Sequence, residues 1–178
     1  MRRISLRYGP IAYFGRILAK IGLSASVAQP ILKSSITLAA VANVGAGEDD
    51  LITTSIPAAA LSEAGKGVRI TAWGTTANNA NAKTLKVYFG TQVVLTNSLT
   101  ASIAGLWQVE TLVFSTGTDT QDWVSRLATL GAAGVALNDV EIGTATQDDG
   151  AAITIKCTGE AVDNNDIVQE GLLVEFFN

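Results

Sequence analysis

The chain has 178 residues, 48% of them apolar, with a formal net charge of −4, no histidine and a single cysteine, Cys157. That is enough apolar side chain for one cored domain plus an appendage, so neither general disorder nor a need for disulfide staples is expected. The missing histidines exclude Ser-His-Asp and Cys-His nucleophiles and the commonest general base, and one cysteine excludes an internal disulfide and CxxC-type metal clusters.

The charge is unevenly spread. Arg2, Arg3, Arg7, Arg16, Lys20 and Lys33 precede residue 40 with no acid among them, while the remainder carries six cations and all sixteen acids: +6 against −10. Residues 1–33 therefore read as a basic arm, and residues 34–178 as an acidic body. Arg16 and Lys20 break the apolar stretch that follows the first arginines, so neither a signal peptide nor a membrane span is expected. Pro10 and Gly22 bracket a short helix in which Ile11, Phe14, Leu18 and Ile21 form a stripe. Such a helix is marginal alone. A partner or sister subunits would order it, or else it caps its own domain.

From Ser34 the texture changes to short alternating runs separated by turn residues, which predicts roughly nine strands and no crossover helices. Ser35–Val44 and Leu51–Ile56 flank an expected acidic turn at Gly45–Asp50. Val68–Thr75 and Lys83–Phe89 are joined by a loop through Asn78, Asn79 and Asn81. In the latter run Leu85, Val87 and Phe89 share one face. Gln92–Asn97 follows, then Leu106–Ser115, with Trp107, Val109, Thr111 and Val113 on one side. Asp122–Leu130 comes after the turn Thr116–Asp119. Val140–Thr146 and Ala151–Cys157 are linked by Asp148-Asp149-Gly150, a strong hairpin signal that turns Ile153, Ile155 and Cys157 inward. Ile167–Phe176 closes the chain. The expected fold is all-β, an antiparallel jelly-roll or Greek-key sandwich behind an N-terminal arm with one short helix.

The acidic clusters Glu48-Asp49-Asp50, Asp148-Asp149 and Asp163–Asp166 do not fit an EF-hand loop and read as solvated turns. Carboxylate-only chemistry stays open in principle, with Glu110 the one acid inside an apolar run. Its plainer reading is a position on the outer or inter-subunit face, opposite Trp107 and Val109. Among the tryptophans, Trp107 shares a face with Val109 and Val113 and reads as core, whereas Trp73 shares one with Arg69 and Thr71. Trp73 is therefore the candidate for stacking a surface ligand such as a host glycan. Gly65-Lys66-Gly67 and residues 131–134 match no nucleotide-binding fingerprint. A body charge of −10 argues against nucleic acid as its partner.

Several segments resemble tailed-bacteriophage structural proteins: Ile56-Pro57-Ala58-Ala59-Ala60-Leu61, Gly65 through Gly74, Ala80 through Gly90, Trp107-Gln108-Val109-Glu110 and Asn164 through Glu170. The resemblance spans about residues 50–177 and leaves out the arm. It implies a virion protein, made in the host bacterial cytoplasm, with a jelly-roll body and a trimeric state. Capsid decoration (cement), head-fibre and tail-fibre roles all lie within that class. It brings no catalytic, cofactor or metal residues, and the reading is of a non-enzyme. Arg2, Arg3, Arg7, Phe14, Arg16, Leu18 and Lys20 are the expected contacts of the arm with other virion proteins, such as the major capsid protein.

Overall fold

The computed structural model describes residues 34–99, 105–131 and 138–177. The arm, with its expected helix and its seven contact residues, lies outside the described residues, as do residues 132–134.

The described chain is an all-β sandwich of ten strands: β1 (Ser34–Ala42), β2 (Gly47–Ile56), β3 (Gly67–Thr76), β4 (Lys83–Phe89), β5 (Gln92–Leu99), β6 (Gly105–Gly117), β7 (Thr120–Gly131), β8 (Asn138–Ala145), β9 (Ile153–Ala161) and β10 (Ile167–Phe177). One sheet has six strands in the order β1-β10-β3-β6-β7-β8 and the other has four in the order β2-β9-β4-β5. Every strand pair within them is antiparallel. The chain changes sheet at β1–β2, β2–β3, β3–β4, β5–β6, β8–β9 and β9–β10.

The core lies between the sheets and follows the period of two in the sequence. Leu85, Val87 and Phe89 of β4 meet Ile153, Ile155 and Cys157 of β9 on one side, and Ile70, Ala72, Trp107, Val109, Val113, Leu172 and Val174 oppose them. Two of the buried hydroxyls satisfy each other, Thr111 Oγ1 lying 2.7 Å from Ser125 Oγ. Burial pushes the Cys157 thiol up to about 12, so it is an inert core group.

The three tryptophans obey one rule. Each stands directly across from a glycine on the neighbouring strand: Trp107 from Gly74, Trp123 from Gly143, and Trp73 from Gly171. A Cβ on these glycines would come within 2.6 Å, 2.6 Å and 2.1 Å of the respective rings. The indoles occupy the space that the absent side chains leave, which explains why glycine is tolerated mid-strand here.

The connections differ from the local reading in two places. Gly47–Asp50 is not part of a turn but the start of β2. Asp148-Asp149-Gly150 closes no hairpin, because β8 pairs with β7 while β9 belongs to the other sheet. Asp149 is buried and accepts hydrogen bonds from the Asp119 amide (3.0 Å) and Gln121 Nε2 (2.9 Å), tying this crossing to the β6–β7 turn. The Asn78–Asn81 loop joins β3 to β4 as expected, and in doing so crosses between the sheets. Asn81 Nδ2 donates to Asp166 (2.8 Å) and Asp163 (2.9 Å), and Asn79 Nδ2 donates to Asp166. Asp166 is thus a buried staple, not a solvated turn residue. Burial alone would raise its pKa, but the hydrogen bonds from Asn81 and Asn79 hold it below the usual carboxylate value. Beside it Lys83, 1% exposed, donates to Asn79 Oδ1 (2.6 Å) and to the carbonyls of Asn81 (3.1 Å) and Asn79 (3.4 Å).

Candidate functional site

The two outward faces of the sandwich differ in chemistry. On the four-stranded sheet Thr53, Ser55, Thr84, Thr154, Thr96 and Ser98 alternate with the buried set and leave a polar surface. Its centre is a charge network. Glu48 on β2 pairs with Lys86 on β4 and accepts hydrogen bonds from Tyr88 Oη (2.6 Å) and Thr158 Oγ1 (2.7 Å). Lys156 on β9 lies 2.6 Å from Asp50 and 5.0 Å from the centre of the Tyr88 ring. Partial burial of Glu48 would raise its pKa, but hydrogen bonds from Lys86, Tyr88 and Thr158, together with the Lys86 charge, outweigh it and hold the carboxyl at about 2. The β5 edge is blunted as well, since Glu141 accepts from the Thr96 amide (3.0 Å) and Asp139 from Asn97 Nδ2 (2.8 Å). This face is finished for water.

The six-stranded sheet is different. Its register sets the outward side chains in rows that run across the strands. One row holds Glu175, Arg69, Leu112, Val124 and Ile142. The next holds Ile36, Leu173, Thr71, Glu110, Arg126 and Val140. A third holds Leu38, Gly171, Trp73, Gln108 and Ala128, and a fourth Val168, Thr75, Leu106 and Leu130. Phe114 and Phe177 pack against each other beyond the first row, their rings tilted by 58° with centres 5.1 Å apart. Ile142 is 77% exposed, Leu38 69%, Leu106 58% and Leu130 55%, so exposed apolar side chains recur in every row, around a polar band of Arg69, Glu175, Glu110, Arg126 and Gln108. Arg69 pairs with Glu175 at 2.6 Å, and Arg126 sits across from Glu110.

Within the face lies a hollow of about 450 Å³ bordered by Trp73, Leu106, Leu130, Ala128, Gln108 and Glu170, with Gly74 and Trp107 also lining it. Trp73 is half-buried, its ring seated over Gly171. Its position on the outward side with Arg69 and Thr71 is the one expected from the sequence. Glu110 also lies on the outward face, and its neighbours in register are Thr71 and Arg126, not a second carboxylate. Among the described residues no second carboxylate therefore stands beside it in register, as glycoside hydrolysis would need. Among the described residues no group of three or more cysteines and acids is placed to hold a metal ion.

The apolar face escaped the strand-by-strand reading, although a signal for it exists. Leu106-Trp107, Leu112-Val113-Phe114 and Leu172-Leu173-Val174 are unbroken apolar runs. A strand covered on both faces reads this way, whereas a half-solvated one alternates.

No family model matches the chain, and no curated protein matches it. Among solved structures it is similar to the CBM2 module of an evolved Dit from Lactobacillus casei BL23 phage J-1 (10% identity, 69% of this chain and 67% of that one, TM-score 0.37). It is also similar to the protein of infectious bursal virus-derived T=1 particles (12% identity, 82% of this chain, TM-score 0.37), of which it spans about a third, 32%. Peanut lectin is a third likeness (8% identity, 86% of this chain and 94% of that one, TM-score 0.32). At these scores the likenesses carry no functional argument.

Proposed function

We propose that the chain is a structural component of a bacteriophage virion, a trimeric capsid decoration or head-fibre protein whose basic arm, residues 1–33, anchors an acidic body, residues 34–178. The observation that carries this reading is the gathering of exposed large apolar side chains, Ile36, Leu38, Leu106, Leu130, Val140 and Ile142, on one outer face while the other is polar, the pattern of a subunit built to be covered on one side. The strand order supports a jelly-roll body: β1-β10-β3-β6 over β2-β9-β4-β5 is the interleaving of two Greek keys, with β7 and β8 added beside β6. The resemblance of residues 50–177 to tailed-phage structural proteins supplies the particle, and the +6 arm supplies the anchor. Removing residues 1–33 is expected to leave a folded trimer by light scattering while abolishing co-sedimentation with capsids of its phage. Retained co-sedimentation refutes the anchor.

A second reading, a tail-associated fibre or carbohydrate-receptor binder, is favoured by one observation. Trp73 presents a half-exposed ring in a hollow bordered by the polar groups of Gln108 and Glu170, an arrangement suited to stacking a sugar. A glycan array on the full chain that gives signals lost in Trp73→Ala would establish it.

A further inference from the structure

We infer that the apolar outer face of the six-stranded sheet is the self-association surface, covered in the assembly by further copies of this chain, with the Trp73 hollow receiving an apolar side chain of the neighbouring copy. The inference rests on the proposed oligomeric particle protein and names the surface that builds it.

Size is the first argument. Five inter-strand spacings across and about seven residues along give roughly 550 Å² in projection, and more once side-chain relief is counted. A standard interface takes about 800 Å² from each partner, whereas a monomer's largest apolar patch is typically about 300–600 Å². At about 550 Å² the face matches what each partner gives to a small contact, under about 600 Å² apiece, and overlaps the monomer range, so its area permits a contact between copies without requiring one.

Charge is the second. The body carries −10, so copies repel through most of their surface. At the centre of this face Arg69 is matched by Glu175, and Arg126 stands across from Glu110. Like-charged bodies meet at least cost there, and a polyanion finds no surplus of cations to bind.

Shape is the third. Leu112, Val124 and Ile142 stand abreast on β6, β7 and β8 as a ridge. The hollow rimmed by Leu106 and Leu130 lies further along the same strands. A face holding both ridge and hollow can be complementary to itself under rotational symmetry. The rim is mixed, Leu106, Leu130 and Ala128 offering apolar contact beside Gln108 and Glu170.

The test uses the full chain across a dilution series, with mass read by light scattering. The wild type is expected at a multiple of 18.5 kDa. Leu106→Lys combined with Leu130→Lys should weaken association about a hundredfold or more, the scale of losing interface hot spots. Thr53→Lys on the opposite face should leave the mass unchanged. Both altered positions are exposed, so the circular dichroism spectrum should match the wild type. If the double variant loses its fold, Ile142→Lys at the edge strand carries the same prediction.

A wild type that is monomeric throughout, or variants that keep the full mass, overturn the inference. A dimer dispersed by the double variant upholds it while removing the proposed trimer. Particle attachment, scored separately on the dispersed variant, tests the virion role without reference to this surface.

Discussion

Gly74 offers a direct measurement of how tightly the sandwich is built beneath the hollow. A Cβ at this position would lie 1.9 Å from the Val168 carbonyl oxygen and 2.6–2.8 Å from the Trp107 ring. The first of these is backbone of β10, hydrogen-bonded into the sheet, and the second is an indole whose Nε1 donates to the Thr75 carbonyl at 3.1 Å. Neither can retreat without disturbing the β3–β10 register or the core. Gly74→Ala should therefore cost about 3 kcal/mol, at the upper end of overpacking effects. Gly159, also buried mid-strand, is the control, because its Cβ would meet Ile167 Cβ at 3.3 Å and Leu51 Cδ1 at 3.4 Å. There the loss of unfolded-state freedom, about 0.4–1 kcal/mol in favour of alanine, offsets a small adjustment. With a urea m-value of about 2 kcal/mol/M, Gly74→Ala should lower the unfolding midpoint by about 1.5 M and Gly159→Ala by less than about 0.5 M, at equal chain concentration. A Gly74→Ala midpoint within about 0.3 M of the wild type, or an equal fall for Gly159→Ala, would show that the tryptophan–glycine pairs are not the tight contacts described above.

Two further expectations follow from the polar groups. The Glu48 carboxyl is held at about 2 against an ordinary 4.5, so the folded state binds its proton later than the unfolded chain does. The stability this contributes is present above about pH 4.5 and is lost as the pH falls toward about 2. Glu48→Gln should flatten that acid limb in denaturation curves taken through the window, and an unchanged slope would assign acid sensitivity elsewhere. Lys83→Met would leave the Asn79 and Asn81 oxygens without their donor inside a closed end of the sandwich. It should cost about 2–4 kcal/mol by urea unfolding, and a loss below about 1 kcal/mol would mean that water takes over the site.

What the sequence determines here is local. Alternation placed Leu85, Val87 and Phe89, and again Ile153, Ile155 and Cys157, on the inner side, and it put Trp73 and Glu110 outside, because a strand's side-chain period of two is a property of the backbone itself. The absence of amphipathic helical patterning from Ser34 onward likewise announced an all-β body. Sheet membership was not local. Asp148-Asp149-Gly150 has hairpin chemistry, yet β9 joins β2 and β4 in the other sheet while Asp149 is drawn inward by Asp119 and Gln121. Whether an acid is solvated or buried depends on which distant loop supplies its donors, as Asn79 and Asn81 do for Asp166. The difference between the two outer faces was decided in the same way. Lys86, Glu48, Lys156 and Asp50 are scattered in sequence and become one network only across paired strands. Leu112, Val124 and Ile142 become one surface only when β6, β7 and β8 lie side by side, because register is set by long-range pairing and not by any single run of residues.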